Sequence, residues 1–542
     1  MVRVQRHFCA AGALVLGLGL TGVPQAKAQH FLPDDPLRDV PEVAAVGKTT
    51  AQSINQLYDF AVNSGQYKPP KVMGPSLGVN TLGEVPDSSW YTNRDLSAIT
   101  PEEIRKGSRT HGLPQPPFTV VAAKTEGVTP GFRIRDGRGL LYFVKVDPAT
   151  NPEMASTADV VGALLLYAAG YNVPENYILT APRSAFVLSK TAKITAASGK
   201  AHPMTKSDLN HILDVVPVER DGQIRVMASL ALEGKIVGPF RYKSTRPDDP
   251  NDLIPHEQRR DLRGLDVVFA WLNHTDAKGD NSLDTVIGKG DEARFRHNLL
   301  DFGDSFGSDS DIAKDPRHGQ EYFLPTSGEQ WKRGYSLGLA AQPWERVHYP
   351  GELKSIGNFT AVAFDPLTWK PNYPNPAFLQ MTPLDAYWGA KKVMAFTNAQ
   401  IEAAAAEAQF SDPQATAYMA KVLEQRRDAI GRAWFSRVLP LEGFTLQDGT
   451  LHYQDLGATY GFWPQQHYRT AWFRFDNQTG QESILSSEGD AAPSELANLA
   501  EGSFIGCRLK TEKNDERSTT VYFRRDAGAW TVVGITRTAL HL

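Results

Sequence analysis

A chain of 542 residues has room for about three domains or lobes, and 41% hydrophobic and 22% charged residues are ordinary globular values. A formal net charge of −4 removes the electrostatic case for nucleic-acid binding. Once the leader containing Cys9 is set aside, Cys507 is the one cysteine left; no intramolecular disulfide can form, and Cys507 reads as a packing residue.

The chain opens with Arg3 and Arg6, an apolar run from Phe8 to Leu20, and Gln25-Ala26-Lys27-Ala28. Basic, apolar and small-residue segments in this order are the layout of an export signal over residues 1–28. Cleavage is expected after Ala28, giving a periplasmic or secreted protein. The run is shorter than the roughly 20 residues that span a bilayer. No later stretch is long and apolar enough, so no transmembrane segment is expected after cleavage.

Residues 29–117 are rich in Pro, Gly and polar side chains and read as an irregular extension with short helices, such as Thr49–Ser64. Pro86-Asp87-Ser88-Ser89-Trp90-Tyr91 is its most distinctive stretch; it can pack on the main domain but carries no assignable chemistry. From Phe118 the pattern becomes strand, a loop bearing Gly127 and Gly131, a strand from Phe132, and a turn at Asp136-Gly-Arg-Gly139. A third strand, Leu140–Val146, carries Lys145 near its end. Asn151 and Pro152 then signal a helix start, with Met154, Ala158, Val161, Leu165 and Ala168 at helical spacing and Gly170 as the stop. A strand is predicted over Tyr177–Thr180, then strand and loop over 185–255 with candidate strands Arg225–Leu232 and Lys235–Tyr242. A helix over His256–Leu272, a mainly helical stretch from Pro383 to Val438, and short strands from about residue 441 complete the pass. The last stretch predicts a separate β-domain, a small sandwich.

Three islands can carry chemistry. They are Tyr142-Phe143-Val144-Lys145, His274-Thr-Asp276-Ala-Lys278-Gly-Asp-Asn281, and Leu299-Leu300-Asp301-Phe302-Gly303. Phosphoryl transfer needs a fixed cation for phosphates, a base for the acceptor hydroxyl and oxygen donors for a divalent metal. Lys145, Asp276, and the pair Asn281 and Asp301 supply these in turn, with Lys278 placed to stabilise charge on the transferred group. Each motif alone is weak; their order, spacing and agreement with the strand and helix pattern carry the reading.

Asp276-x-Lys278-x-x-Asn281, then Asp301-Phe302-Gly303, with Lys145 upstream, resembles the catalytic loop, metal motif and strand lysine of protein kinases. The resemblance spans roughly residues 118–440. It implies an α+β, bilobal protein-kinase-like fold: a small lobe and hinge over 118–255, a helical large lobe over 256–440, and the β-sandwich-like domain over 441–542. It also implies ATP as cofactor with Mg²⁺ or Mn²⁺, and a protein or small-molecule acceptor that the residues do not name. Lys145 would hold the α- and β-phosphates, with Gly127 and Gly131 flanking the nucleotide loop; Asp276 would be the base; Asn281 and Asp301 would bind metal. His274-Thr-Asp276 replaces His-Arg-Asp, the glycine loop is incomplete, and no Ala-Pro-Glu follows, so the chain looks similar to the atypical branch of HipA-like, spore-coat CotH-like and secretory-pathway kinases.

The carboxylate partner of Lys145 is Asp159 or Glu153. Glu153 sits where a first-turn acid is favoured by the helix dipole anyway. Asp159 lies mid-helix beside the apolar stripe, where a carboxylate is costly unless paired, and is preferred. Asp301, Asp304, Asp309 and Asp311 lack the order of a calcium loop and read as a polar turn. His274 reads as a core histidine bracing its loop. Two other functions stay open: a pseudokinase serving as an envelope scaffold, since an exported protein meets little ATP, and AMP transfer on the same fold.

Overall fold

The computed structural model describes residues 29–54, 73–124, 131–195, 200–219, 221–324, 342–485, 491–512 and 516–541. The leader and Gly127 lie outside these residues. So does most of the helix expected over Thr49–Ser64, and its described part, 49–54, is irregular.

Helix α1 (Pro101–Lys106) starts at a reciprocal capping box between Thr100 and Glu103. Strands β1 (Phe118–Lys124), β2 (Gly131–Arg135) and β3 (Leu141–Val146) form an antiparallel run. Helix α2 (Met154–Ala168) is followed by β4 (Asn176–Ala181), β5 (Phe186–Thr195) and β6 (Ala201–Pro203). Helix α3 (Lys206–Asp214), inside a stretch expected as strand and loop, begins at a second capping box, Thr205 with Asp208. With β7 (Ile224–Leu230) these strands make a seven-stranded sheet of order β4-β7-β3-β2-β1-β5-β6. The β1–β5 pair is parallel.

Alternation along β3 buries Tyr142, Val144 and Val146 and leaves Phe143 and Lys145 on the opposite face. The buried face packs with Leu209, Ile212 and Leu213 of α3. The Lys145 face is half covered: Val160 and Leu164 of α2 pack on Ile178 of β4 and Met227 of β7, and the rest opens into a cleft. The other side of α2, including Val161 and Leu165, belongs to the largest core, shared with the helices that follow. A helix with 14 of its 15 residues buried must be apolar or small nearly all round, as Met154–Ala168 is.

The helix starts later than its signals suggest. Asn151 gives its side-chain amide to the Lys354 carbonyl (2.9 Å) instead of capping, and Glu153 holds the cap position in a left-handed conformation (φ 69°). A tertiary contact has overridden the local cap.

Beyond β8 (Lys235–Ile236), helix α4 (Arg260–Leu272) leads to the hairpin of β9 (Ser282–Ile287) and β10 (Arg294–Leu299). The expected strand over Lys235–Tyr242 reduces to those two residues of β8, paired with β9. Helices α5 (Pro383–Met394), α6 (Asn398–Ala406) and α7 (Pro413–Phe435) pack with α4. The C-terminal region holds β11 (Leu441–Gln447), β12 (Thr450–Asp455), the single-turn α8 (Leu456–Thr459), β13 (Tyr468–Phe475), β14 (Glu482–Ile484), β15 (Phe504–Thr511), β16 (Ser518–Asp526) and β17 (Ala529–Thr538). Where a two-sheet sandwich is expected, hydrogen bonds join all seven strands into one sheet, β12-β11-β17-β16-β15-β13-β14. One of its faces closes over Trp472, Ile505, Cys507, Val521 and Phe523.

The extension is a strap across these units. Phe31 packs among Phe475, Phe504 and Tyr522 of the C-terminal sheet. Leu77 bonds Gln258 before α4, and Thr81 accepts from Ile535 of β17. Tyr91 hydroxyl donates to the Ala169 carbonyl at the end of α2 (2.8 Å), and Trp90 stacks on His297 of β10 at 3.6 Å. The first sheet is also stapled directly to the helical region: Arg225 of β7, only 6% exposed, donates to the Ala408 and Gln409 carbonyls after α6.

Candidate active site

Lys145 projects from β3 into a cleft of about 810 Å³ that is also lined by Gly131, Asp276, Lys278, Asn281 and Asp301. Its ammonium lies 3.0 Å from Asp159 Oδ2 and 2.6 Å from Asp301 Oδ1. Asp159 comes from the middle of α2, and its other oxygen accepts the Phe302 backbone N–H at 2.9 Å. One carboxylate thus fixes both the strand lysine and the Asp-Phe-Gly turn. Glu153 is elsewhere: both its oxygens accept from Ser411 N at 3.1 Å, at the approach to α7, so this alternative for the lysine's partner is corrected to Asp159.

Burial works against the charge of Lys145, but Asp159 and Asp301 more than offset it and hold its pKa above the ordinary lysine value. One ammonium between two carboxylates splits them. Burial raises both: at Asp159 it wins despite the lysine, whereas at Asp301 the Coulombic pull and hydrogen bond of Lys145 outweigh it and hold the carboxyl below the usual range.

The β9–β10 hairpin brings the second and third islands together. Ser282 pairs with Leu299, and Leu300 N donates to the Asn281 carbonyl at 2.9 Å just beyond the ladder. Asn281 and Asp301 are therefore neighbours despite their sequence separation. Asn281 gives its amide Nδ2 to the carboxylate and carbonyl of Asp276, both at 2.9 Å, while Lys278 pairs with Asp276 Oδ2 at 2.8 Å. Burial opposes the charge of Lys278, but Asp276 raises its pKa overall.

The loop itself is set by Asn273, which ends α4 in a left-handed conformation (φ 53°) and accepts from Trp369 Nε1 at 3.0 Å. His274 is buried against Phe269, shares a 3.1 Å hydrogen bond with Ser305, and is pushed down to about 4 by burial, so it is a neutral brace. Gly131 pairs across from Lys145 in the β2–β3 ladder, so the neighbour on that strand brings no side chain.

With Nδ2 committed to Asp276, Asn281 keeps Oδ1 for an outside partner, and Asp301 keeps Oδ2. An amide and a carboxylate oxygen fit Mg²⁺ or Mn²⁺ held jointly with phosphate oxygens. Among the described residues no group of three or more His, Cys, Asp or Glu is placed to hold a metal alone.

The cleft also has walls that sequence patterns did not assign to it: Ser310, His318, Phe323, Asn372 and Tyr373, with Asp304 and Asp309 from the run read as a polar turn. They sit on irregular backbone with no period to flag them; the one available signal is the polar run after Asp301. Asp304 is pushed up to about 7 by burial, with Lys314 pulling the other way.

No family model matches the chain, and no curated protein matches it. Among solved structures it is similar to the Helicobacter pylori proinflammatory kinase CtkA, at 11% identity and TM-score 0.30, covering 57% of this chain and 93% of that one. It is similar to the Golgi casein kinase at 8% identity and TM-score 0.28, and to that kinase with Mn/ADP bound at 10% and 0.27, each covering 75% of this chain and 96% of the other. Likenesses this loose carry no argument of their own. The functional reading stands on the contacts of the cleft.

Proposed function

We propose that the chain is a phosphotransferase of bilobal, protein-kinase-like fold, using ATP and Mg²⁺ or Mn²⁺ to phosphorylate a hydroxyl on a protein or small molecule outside the cytoplasm. One observation carries it: Lys145, Asp159 and Asp301 form one ion cluster in the same cleft as Asp276, Lys278 and Asn281. Asp301 sits at an anion position beside Lys145 that a phosphate would share. Asn281 and Asp301 would hold the cation, which would neutralise charge on the phosphates. Asp276 takes the proton of the acceptor hydroxyl as its oxygen bonds to the γ-phosphorus, the bridging P–O bond breaks and ADP leaves. Lys278, already on Asp276, is placed to shield the transferred group. The export signal in the sequence supports the compartment.

Full mature chain should show a thermal shift with ATP only when Mg²⁺ or Mn²⁺ is present. Asp276→Asn should keep that shift and lose phosphoryl transfer by about 10²–10⁴-fold. No shift under any metal sinks the reading. A shift with no product points to a nucleotide-binding scaffold, and a product heavier by AMP points to nucleotidyl transfer.

A further inference from the structure

Behind the cleft floor lies a buried charge that the reaction above does not use. Lys314, only 1% exposed, sits on irregular backbone between Gly307, which accepts from its N–H, and Asn358, which donates to its carbonyl. Its ammonium donates to the Asn273 carbonyl at 3.1 Å, Thr275 Oγ1 at 2.8 Å and the Asp304 carbonyl at 3.0 Å, and pairs with the Asp304 carboxylate. The other Asp304 oxygen accepts from Thr275 Oγ1 at 3.2 Å and Asn372 Nδ2 at 3.3 Å. Every one of these ammonium contacts lies on one of two loops. Thr275 is the residue before Asp276, and Asp304 is the third residue after Asp301.

We propose that Lys314 is a positioning residue: with Asp304 it clamps the loop of Asp276 to the loop of Asp301 and so sets the spacing between base and metal donor. This rests on the functional reading above. A buried ion pair is weak evidence for stability, since apolar side chains of similar volume often fill such a site as well. Its directional donors do what apolar packing cannot, fixing one register between two segments that lie just beyond the end of the β9–β10 ladder. Lys145 and Asp159 lie outside the clamp and Asp301 stays paired with Lys145, so loss of the clamp falls on kcat more than on the KM for ATP.

The test compares wild type, Lys314→Met and the charge-neutral double variant Lys314→Met/Asp304→Asn, as full mature chains, with ATP and Mn²⁺ as probes and turnover read as ADP release. In the double variant, unfolding stability should return toward wild type because no buried charge is left alone. Its kcat per folded molecule should stay about 10- to 100-fold low, with the KM for ATP changed by less than about threefold. Recovery of kcat along with stability overturns the proposal, because a merely structural pair would behave that way. If wild type turns over no ATP, the functional reading fails separately. The clamp is then read by amide hydrogen exchange: faster exchange confined to 273–281 and 301–306 in Lys314→Met supports it, and a uniform or absent change overturns it. Should neither charge variant fold, Thr275→Val, which keeps the ion pair and removes the two hydrogen bonds of Thr275 Oγ1 to Lys314 and Asp304, takes the same two measurements, with kcat expected about tenfold down.

Discussion

Asp159 and Glu153 show what a single carboxylate can do when the surroundings differ. Asp159→Asn keeps an acceptor for Phe302 N–H but removes the charge facing Lys145. Breaking a buried pair from one side costs about 3–5 kcal/mol; the lower end is expected because Asp301 still faces the ammonium. Denaturant unfolding measures that loss, and the metal-dependent ATP shift should weaken with it. Glu153→Gln should cost about 1 kcal/mol through its bonds to Ser411 N and leave the ATP shift unchanged. The preference for Asp159 was legible in the sequence because a mid-helix acid on an apolar stripe demands a partner. Lys145, Asp276, Asn281 and Asp301 were legible because each lies in a short motif at the end of a regular element. Lys314, Asn372 and Tyr373 were not, because coil residues brought in from far along the chain leave no local pattern.

At the scale of elements, α2 joins the strand lysine to the Asp-Phe-Gly turn through Asp159, and its ends show how tightly it is held. Gly170 follows it with φ 116°, and a Cβ there would lie 2.3 Å from the Tyr91 ring. Gly170→Ala therefore combines a disfavoured backbone with a clash and should cost about 3 kcal/mol, read as a lower denaturation midpoint. Within the helix, a Cβ on Gly162 would meet Phe302 Cβ at 2.8 Å, so Gly162→Ala should displace the Asp-Phe-Gly turn and lower turnover as well as stability. The apolar period announced the helix, but its start was misread because Asn151 is drawn to Lys354. The switch to short strands from about residue 441 was readable in the sequence. Which strand pairs with which depends on partners tens of residues away, and so a sandwich was expected where one sheet forms.

Across the whole molecule, buried charges sit where the strap meets the elements it crosses. His297, stacked on Trp90, lies 2.8 Å from Asp284 and 3.7 Å from Asp249, with Asp252 also nearby. Burial alone would lower its pKa, yet these carboxylates raise it from 6.5 to about 9. A raised cationic group stabilises fully below pH 6.5 and loses that contribution as pH climbs through 9. The protein should lose up to about 3 kcal/mol across that window, and His297→Gln should flatten the decline in an unfolding series. The strap has a different consequence, one of timing. Phe31 hydrogen-bonds Asn477 across 446 positions, so the earliest described segment to be synthesised docks on one of the last. Until the C-terminal strands exist, its anchoring aromatic has nowhere to go, and closing so long a loop is slow. A chain cut short before residue 477 would carry all the cleft motifs and the Trp90 and Tyr91 anchors, with only the Phe31 end of its strap unmoored, which makes the far C-terminal sheet a seal on the completed product.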